Sequence, residues 1–140
     1  MKFDDLSIGQ MFETKSYKMK KEEIIAFALN YDPQYMHINE KKTKQSRFKG
    51  IIASGLHTLN ISFKLWTEMD VLGDDVIAGT GLNYLKLTKP VYPDDVLYVK
   101  STIIGKKEKK KAGEITILLS TFKNEGEQVL ETELSALLSK

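Results

Sequence analysis

The sequence predicts an α+β domain in which a mostly antiparallel sheet wraps one long apolar helix. Two observations carry this prediction: apolar residues recur at helical spacing in the first half of the chain, and four segments rich in β-branched and aromatic residues fill the second half. Helices that precede a run of strands, instead of alternating with strands, are typical of this fold class. We expect one domain over residues 1–140, because no repeat or linker interrupts the pattern.

The segments ahead of the central helix predict a short strand and one amphipathic helix. Residues 12–19 mix apolar and polar side chains and form the candidate first strand. Over residues 20–31 the apolar side chains recur every three to four positions, as on one face of a helix. Pro33 disfavours the helical conformation at Asp32, so the helix is expected to end there. The lysine-rich residues 39–49 follow as a short helix or a loop.

The central and most buried helix is predicted over residues 51–69. It opens with an apolar Ile-Ile-Ala run, and Ser54 supplies a possible N-cap. Four large apolar residues recur at helical spacing and would form its core face: Leu56, Leu59, Phe63 and Trp66. We expect this stripe to be hydrophobic core and not a cofactor pocket.

Four strands are predicted after this helix, in hairpin-like succession. They cover residues 82–88, 96–104, 114–122 and 128–138. Turn signals separate them at Pro90, residues 93–95, Ala112-Gly113 and residues 124–126. Residues 106–111, five lysines and one glutamate, fall at a predicted hairpin tip, where a charge run is normally a solvated surface.

The composition excludes several functional classes. Hydrophobic residues make up 41% of the chain and charged residues 29%, which describes a globular protein and not a disordered one. The absence of cysteine excludes disulfides, thiolate nucleophiles and cysteine-based zinc sites, and the two histidines lack the spacing of a metal-binding pair. We therefore expect no metal. A net charge of +2 is too small to indicate nucleic acid as a partner.

Membrane and export signals are also missing from the sequence. No apolar run approaches the roughly 20 residues that a membrane helix needs, and residues 1–10 lack the apolar core of a signal peptide. We therefore expect no membrane partner and a cytoplasmic location.

Asp32 and His37 are the candidate catalytic residues. Positions five apart on a continuous helix diverge by roughly 140°, but Pro33 ends the helix between them and lets both side chains turn toward one cavity. Carboxylate and imidazole groups are well suited to moving protons near neutral pH. An ordinary Asp-Pro turn beside a hydrogen-bonded histidine is the alternative that the spacing leaves open.

The surroundings of Asp32 predict a raised pKa for its carboxyl group. The residue would sit at a helix C-terminus, where the partial negative charge of the helix dipole disfavours the ionised form. The apolar neighbours Tyr31, Tyr35 and Met36 would act in the same direction. We therefore expect Asp32 to be a weak base that works near neutral pH.

Gly55 is the second candidate feature, at the first turn of the central helix. Unpaired N–H groups there, with the positive end of the helix dipole behind them, would polarise a carbonyl oxygen. The alternative is that a small residue is needed to pack the helix on the sheet, and the residue type does not decide between the two. For His57, two positions later, we favour packing or a structural hydrogen bond over catalysis.

Two segments together resemble the hydratase motif of MaoC-like dehydratases. The first is Tyr31-Asp32-Pro33-Gln34-Tyr35-Met36-His37, and the second is Phe48-Lys49-Gly50-Ile51-Ile52-Ala53-Ser54-Gly55-Leu56-His57-Thr58. They provide an aspartate, a histidine five residues later, a phenylalanine-glycine stretch, and a small residue followed by glycine. Similar segments continue at residues 81–85, 89–95 and 124–129, so the resemblance covers most of the chain from Phe27 onward.

The resemblance implies a hotdog fold and a homodimer, or a higher homo-oligomer, with sites near the subunit interface. Members of the family act in fatty acid metabolism on thioesters of CoA or of an acyl carrier protein. They hydrate a trans-2-enoyl group to the (R)-3-hydroxyacyl product, or run the reverse dehydration. On this pattern Asp32 and His37 activate the water, and the Gly55 N–H binds the thioester oxygen. No cofactor is expected beyond CoA as part of the substrate.

This sequence departs from the commonest form of the motif, Asp-x-Asn-Pro-aliphatic-His, at two positions. Gln34 occupies the position where asparagine is usual, and Tyr35 the position where proline is usual. The bulky side chains there bear on the shape of the acyl pocket, whose candidate residues are Tyr31, Gln34, Tyr35, Met36 and Ser54. The lysine run 106–111 is an alternative contact for the CoA phosphates. Two other functions stay open: thioester hydrolysis on the same fold, and a non-catalytic module that binds acyl thioesters or dimerises.

Overall fold

A computed structural model of the chain describes all of residues 1–140, with a six-stranded antiparallel sheet packed around a central helix. The helices are α1 (Lys21–Tyr31), α2 (Tyr35–Ile38), α3 (Glu40–Lys44) and α4 (Gly55–Glu68). The strands are β1 (Met11–Glu13), β2 (Tyr17–Lys18), β3 (Val76–Leu87), β4 (Val96–Glu108), β5 (Ala112–Lys123) and β6 (Glu127–Ser139). The α+β prediction is confirmed.

The strands form one sheet in the order β1-β4-β5-β6-β3, and β2 also pairs with β4. Successive hairpins join β4, β5 and β6. Because β3 pairs only with β6, its other edge is free. Residues 88–95 carry the chain from the end of β3 across the sheet to β4. Ala53 N–H donates to Val91 O at 2.8 Å, so this crossing passes beside the start of α4.

The core lies between α4 and the concave face of the sheet. The buried face of the helix consists of His57, Thr58, Ile61, Ser62, Leu65 and Trp66. Alternate residues of the two central strands meet it: Leu97, Val99, Ile103, Ile115, Ile117 and Leu119. The Ser62 hydroxyl donates to Thr58 O at 2.7 Å and lies 2.6 Å from Thr121 Oγ1. The hydroxyl groups of Ser62 and Thr121 inside this core are therefore paired.

The predicted core face of this helix is wrong for two of its residues. Leu56 is 48% exposed and Phe63 is 50% exposed, whereas Trp66 is buried as expected. The buried face instead includes small hydroxyl residues, which can enter a core because they hydrogen-bond to the backbone one turn earlier. The spacing of apolar residues does not indicate such hydrogen bonds, so the prediction placed the core face on a neighbouring stripe of the helix.

Other boundaries agree more closely with the sequence. α1 ends at Tyr31 with Asp32 as its C-cap, and Ser54 is the N-cap of α4. The central helix starts at Gly55 and not at residue 51, and the first strand is split into β1 and β2. The predicted turn at Ala112-Gly113 is wrong, because these residues already pair within β5.

No helix in the structure combines the length and the apolar character needed to cross a membrane.

Candidate active site

The turn after α1 brings Asp32 and His37 together. The Asp32 N–H donates to Ala28 O at 2.8 Å and closes the last turn of α1. After Pro33 the Gln34 N–H donates back to Asp32 O, also at 2.8 Å, and the chain enters α2, which carries His37. Asp32 Oδ2 and His37 Nε2 consequently lie 3.4 Å apart.

The imidazole of His37 is held from behind by the backbone. This side chain is buried, and its Nδ1 lies 2.7 Å from Ile52 O. A carbonyl oxygen only accepts hydrogen bonds, so Nδ1 carries the proton and Nε2 of the neutral ring is left as an acceptor. Ile52 N–H in turn donates to Met36 O at 3.0 Å. The segment before α4 therefore fixes both the orientation and the tautomer of His37.

Two side chains donate to the carboxylate of Asp32. Ser54 Oγ donates to Oδ2 at 2.6 Å, and Gln34 Nε2 donates to Oδ1 at 2.7 Å. These hydrogen bonds, the one from Ser54 first, lower the pKa of Asp32 and outweigh the opposing effect of burial. The raised pKa expected from the sequence is therefore wrong, because Ser54 and Gln34 donate to the carboxylate. Asp32 stays ionised at neutral pH.

Ser54 joins this carboxylate to the central helix. Its Oγ accepts from Leu56 N–H at 3.2 Å, as an N-cap does, while its hydroxyl hydrogen goes to Asp32. The residue was a candidate for the substrate pocket, but in the structure it positions Asp32 at the N-terminus of α4.

Gly55 has a structural feature that fits each of the two alternatives left open by the sequence, and its role toward a carbonyl oxygen stays a prediction. Its N–H makes no backbone hydrogen bond, since it belongs to the first turn of α4. Packing is also close at this position, because a Cβ atom there would lie 2.1 Å from Leu87 Cδ1 and the exposed Leu87 side chain would have to move. The close approach of Leu87 and the unpaired N–H are properties of the same residue.

A cleft of about 280 Å³ lies between the first turn of α4, the end of β3 and the crossing after it. It is lined by His37, Phe48, Ile52, Ala53, Gly55, Thr58, Leu87, Thr88, Lys89, Pro90, Val91 and Val129. The wall at Pro90 is fixed by Lys123, a buried lysine whose Nζ donates to Pro90 O at 2.9 Å and to Asp95 Oδ2 at 3.2 Å. Sequence reasoning missed Lys123, which reads as an ordinary strand-end lysine.

The five predicted pocket residues do not line this cleft, and of the pair Asp32 and His37 only His37 lines it. Tyr31 is 71% exposed and packs on the ring of Phe27. Tyr35 lies under the ammonium group of Lys42, 4.7 Å from its ring centroid. Met36 is partly buried, and Gln34 and Ser54 bind Asp32. Contacts of these residues with a substrate stay a prediction.

Several lining residues that sequence reasoning missed come from segments that it had quoted for their resemblance only, whereas Leu87 and Thr88 lie outside those segments. Phe48 belongs to the phenylalanine-glycine stretch, and residues 89–91 belong to the proline-containing turn. Their presence in segments that resemble the family indicated them, but their position beside the dyad, the pair Asp32 and His37, depends on the crossing between β3 and β4.

His57 has a different environment from His37. Its ring stacks on Phe27 with centroids 4.7 Å apart, and its Nδ1 has no hydrogen-bond partner. Burial lowers the pKa of His57. The contacts of this side chain are those of a packing residue.

The lysine run 106–111 lies at the opposite end of the sheet from the dyad. It forms the β4–β5 turn, whereas the cleft adjoins the turn between β5 and β6 and the end of β3. Lys106 Nζ donates to Leu6 O at 2.6 Å and lies over the ring of Phe3. The run is a hairpin tip, as the sequence predicted.

The sheet, its enclosed helix and the dyad at the helix N-terminus define a hotdog-fold protein. The model of one family, described as the MaoC like domain, matches residues 4–123. The chain belongs to this family. It is also 50% identical over its full length to a Bacillus subtilis protein of equal extent, named uncharacterized protein YdeM.

Solved structures of related proteins have the same fold. A structure named monoamine oxidase regulatory protein, from Archaeoglobus fulgius, has a TM-score of 0.93 and 26% identity, covering 100% of this chain and 95% of the other. A MaoC-like dehydratase from Rhodospirillum rubrum has a TM-score of 0.87 and 27% identity, with coverages of 100% and 97%. The R-hydratase PhaJ1 from Pseudomonas aeruginosa, at 22% identity, matches in fold with a TM-score of 0.78 over 99% and 86% of the two chains.

Proposed function

We propose that this protein is a hydratase or dehydratase that adds water to a trans-2-enoyl thioester, or removes it, with Asp32 and His37 as its acid/base pair. The observation that carries the proposal is the 3.4 Å separation of Asp32 Oδ2 and His37 Nε2, together with a cleft that His37 and Gly55 both line. Family membership and the likeness to a MaoC-like dehydratase support the reaction class. We also propose that CoA, carried by the substrate, is the only cofactor group, and that the protein works in the cytoplasm.

The pair is suited to holding one water molecule. Nε2 of neutral His37 and Oδ2 of ionised Asp32 are both acceptors, so a water between them would donate one hydrogen to each. Its lone pairs would then point toward the substrate, which removes much of the orientational cost of the reaction. Imidazole is a stronger base than carboxylate, and the lowered pKa of Asp32 favours His37 as the proton acceptor.

The hydration step would then transfer the oxygen and both protons as follows. The water oxygen bonds to Cβ of the enoyl group while one of its protons passes to the dyad. The electron pair of the Cα–Cβ double bond moves toward the thioester carbonyl, whose oxygen accepts a hydrogen bond from the Gly55 N–H. Transfer of a proton from the dyad to Cα completes the 3-hydroxyacyl thioester. Dehydration follows the same steps in reverse.

The acyl chain has a candidate cavity further along α4. Thr58 of the cleft and Phe63 of this second cavity are separated by about 7.5 Å along the helix axis. The cavity measures about 380 Å³, and most of the side chains around it are apolar: Phe63, Trp66, Val71, Leu72, Val76, Ile117, Leu134 and Ala136. We propose that it holds the acyl chain. Ala136→Phe should then reduce kcat/KM for dodecenoyl-CoA far more than for crotonyl-CoA, and an equal effect on both would contradict the assignment.

We further propose that two copies of the chain pair along β3. The outer edge of this 12-residue strand has no partner, and it carries exposed apolar residues such as Ile77 and Leu82. A long apolar edge invites pairing with another chain. Exposed Phe63 on α4 lines the same cavity as Val76 of this strand and adds to its apolar surface.

Size-exclusion chromatography with light-scattering detection measures the mass of the protein in solution and tests this dimer. The wild-type chain should have twice the monomer mass, and Ile77→Lys with Leu82→Lys should give a monomer because two charges would face the partner. Ile8→Lys, which changes another exposed isoleucine, is the matched control and should leave the dimer intact. A wild-type monomer would contradict the proposal.

Turnover of crotonyl-CoA tests the reaction itself. The wild-type protein should consume the enoyl group, produce 3-hydroxybutyryl-CoA and release no free CoA, and Asp32→Asn should abolish the activity without unfolding the chain. Release of free CoA from saturated acyl-CoA would instead identify a thioesterase. Thermal stabilisation by acyl-CoA without any turnover on a broad enoyl panel would identify a binding module.

A further inference from the structure

One side of the catalytic cleft adjoins a strongly basic segment. Residues 41–49 contain five cationic side chains and no acid: Lys41, Lys42, Lys44, Arg47 and Lys49. Arg47 is the only arginine of the chain. Arg47 and Lys49 lie on either side of Phe48 in the sequence, and Phe48 lines the cleft. We call residues 41–49 the basic segment.

The charges of the basic segment are not neutralised by the protein. Lys44, Arg47 and Lys49 are exposed, and none of the segment's cations forms an ion pair with a carboxylate. Four of the lysines in the run 106–111 are similarly exposed, but they lie at the other end of the sheet. Proximity to the cleft therefore distinguishes the basic segment from the lysine run 106–111.

The backbone under these side chains is well fixed. Ser46 Oγ donates to Thr43 O at 2.7 Å and accepts from Phe48 N–H at 3.1 Å. Tyr92 Oη donates to Phe48 O at 2.7 Å, which ties the turn to the crossing that forms the cleft wall. Lys49 has a positive φ of 64°, an uncommon conformation for a side chain with a Cβ, and neighbouring contacts have to maintain it.

A third cavity lies on the other side of this turn. It measures about 540 Å³, and Lys44 and Lys49 contribute to its lining together with Lys20 and Lys21. Two of its three acids are already engaged: Glu40 pairs with Lys21 at 2.8 Å, and Asp94 lies 3.6 Å from the ammonium group of Lys18. Glu22 is the third. Unpaired cations thus outnumber unpaired acids here, which favours an anionic ligand.

We propose that the basic segment, with Arg47, Lys44 and Lys49, binds the phosphate groups of the carrier arm to which the substrate's acyl group is attached. The inference rests on the proposed function, because an acyl thioester brings a phosphorylated pantetheine arm to the mouth of the cleft. In CoA and in a carrier protein alike, one phosphate group is attached directly to pantetheine. Arginine and lysine bind phosphate oxygens through charge-assisted hydrogen bonds, and the arginine fork does so with two.

The test compares a substrate with phosphates and one without. We would measure kcat/KM for crotonyl-CoA and for crotonyl-pantetheine, and take the ratio of the two values. Arg47→Gln should lower this ratio about fivefold, and the triple variant Lys44→Gln, Arg47→Gln, Lys49→Gln should lower it further, to about 30-fold. The matched control Lys109→Gln, Lys110→Gln, Lys111→Gln removes three charges at the far hairpin tip and should leave the ratio unchanged.

The outcomes separate this inference from the proposed function. Turnover of crotonyl-pantetheine by the wild-type protein establishes the reaction without any phosphate. An unchanged ratio in the triple variant, or an equal fall in the control, would overturn the phosphate site. If no thioester is turned over, the rise in melting temperature on adding CoA gives the same comparison, and it should be lost in the triple variant only.

A second substrate shows which phosphate is bound. If the triple variant has a lower kcat/KM than the wild type both for crotonyl-CoA and for the crotonyl thioester of a carrier protein, the basic segment binds the phosphate next to pantetheine. A loss with crotonyl-CoA alone assigns it to the nucleotide end, and a loss with neither contradicts the proposal. Added salt should lower kcat/KM for crotonyl-CoA in the wild type more than in the triple variant.

Discussion

His37 and His57 are the two imidazoles of this protein, and they are equally buried, at 5% exposure each. Their partners differ. His37 is held at Nδ1 by Ile52 O and presents Nε2 to Asp32. His57 stacks on Phe27, and its Nδ1 has no hydrogen-bond partner. Burial therefore does not distinguish a candidate catalytic histidine from a packing one in this chain, whereas the groups that orient the ring do.

The region around His37 is also the one where polar groups are concentrated. Asp32 receives hydrogen bonds from Ser54 and Gln34, and Gly55 leaves an N–H unpaired in the adjoining cleft. Around His57, by contrast, the ring stacks on Phe27 and no polar group pairs with Nδ1. A site that is oriented before substrate binds needs the first kind of environment, because each fixed donor or acceptor lowers the reorganisation required in the transition state.

The largest predicted difference is in activity. His37→Ala should lower kcat for crotonyl-CoA hydration by about 10²- to 10⁴-fold, since it removes the acceptor for the proton of water. His57→Leu, which replaces one buried ring by an apolar side chain, should retain most of the turnover. Steady-state kinetics on both variants, with circular dichroism to check folding, would make the comparison. Equal losses would show that the two histidines do not differ in the way we describe.

A smaller loss is expected from crowding the cleft at Gly55. Gly55→Ala keeps the N–H but forces Leu87 to move, because the new Cβ would lie 2.1 Å from Cδ1. We expect kcat/KM to fall by about ten- to 100-fold, as a small displacement of the reacting groups does. Leu87→Ala in the same chain should restore much of the activity. If the double variant stays as impaired as Gly55→Ala, steric displacement of Leu87 is not the cause.

Removing a partner of Asp32 should change its pKa measurably. The pKa of this carboxyl group is lowered chiefly by the Ser54 hydroxyl, so Ser54→Ala should raise it, while Ser54→Thr should preserve it. A ¹³C NMR titration of the Asp32 carboxyl carbon gives both values. An unchanged pKa in Ser54→Ala would contradict the role of this hydroxyl. The alanine variant also loses the N-cap of α4, with a fall in stability of about 1 kcal/mol.

The sign of the pH effect follows from this lowered pKa. A carboxyl group that is more acidic in the folded protein stabilises the fold fully above its unfolded pKa, about 4. That contribution is lost as the pH falls through the folded pKa. Acid unfolding of Ser54→Ala should therefore depend less on the titration of Asp32 than unfolding of the wild type.

The smallest predicted effect concerns His57. Burial lowers its pKa, so the unfolded chain binds a proton there more readily than the folded protein does. Its contribution to stability is complete above a pH of about 6.5 and falls as the pH decreases below that value. The melting temperature of His57→Leu should accordingly drop less than that of the wild type on acidification to about pH 5.5. A parallel drop in both would contradict the prediction.

The sequence predicted this fold class because its strand and helix patterns are strong and occur in separate halves of the chain. It also located the end of α1, since Pro33 acts locally on the residue before it. It failed where tertiary pairing decides the outcome. The side chain of Ser62 is buried because hydrogen bonds with Thr58 O and Thr121 Oγ1 satisfy its hydroxyl group, and no apolar pattern indicates such bonds.

The candidate site divides in the same way. The residue types and the break at Pro33 identified Asp32 and His37, which the structure brings within 3.4 Å of each other. The pKa of Asp32 could not be predicted in the right direction, because its two donors lie two and 22 residues away and their hydroxyl and amide groups meet it only in the folded chain. The crossing at residues 88–91 contributes to the cleft for a similar reason, since the path of a loop depends on the strand order.

The central claim is that Asp32 and His37 act as one unit on one water molecule, and a double-mutant cycle on crotonyl-CoA hydration tests it most directly. Residues that work as a unit lose little more activity when both are removed than when either one is. We therefore predict that the kcat of the variant with Asp32→Asn and His37→Ala is close to that of the more impaired single variant. Losses that multiply, or single variants with unchanged kcat, would contradict the account.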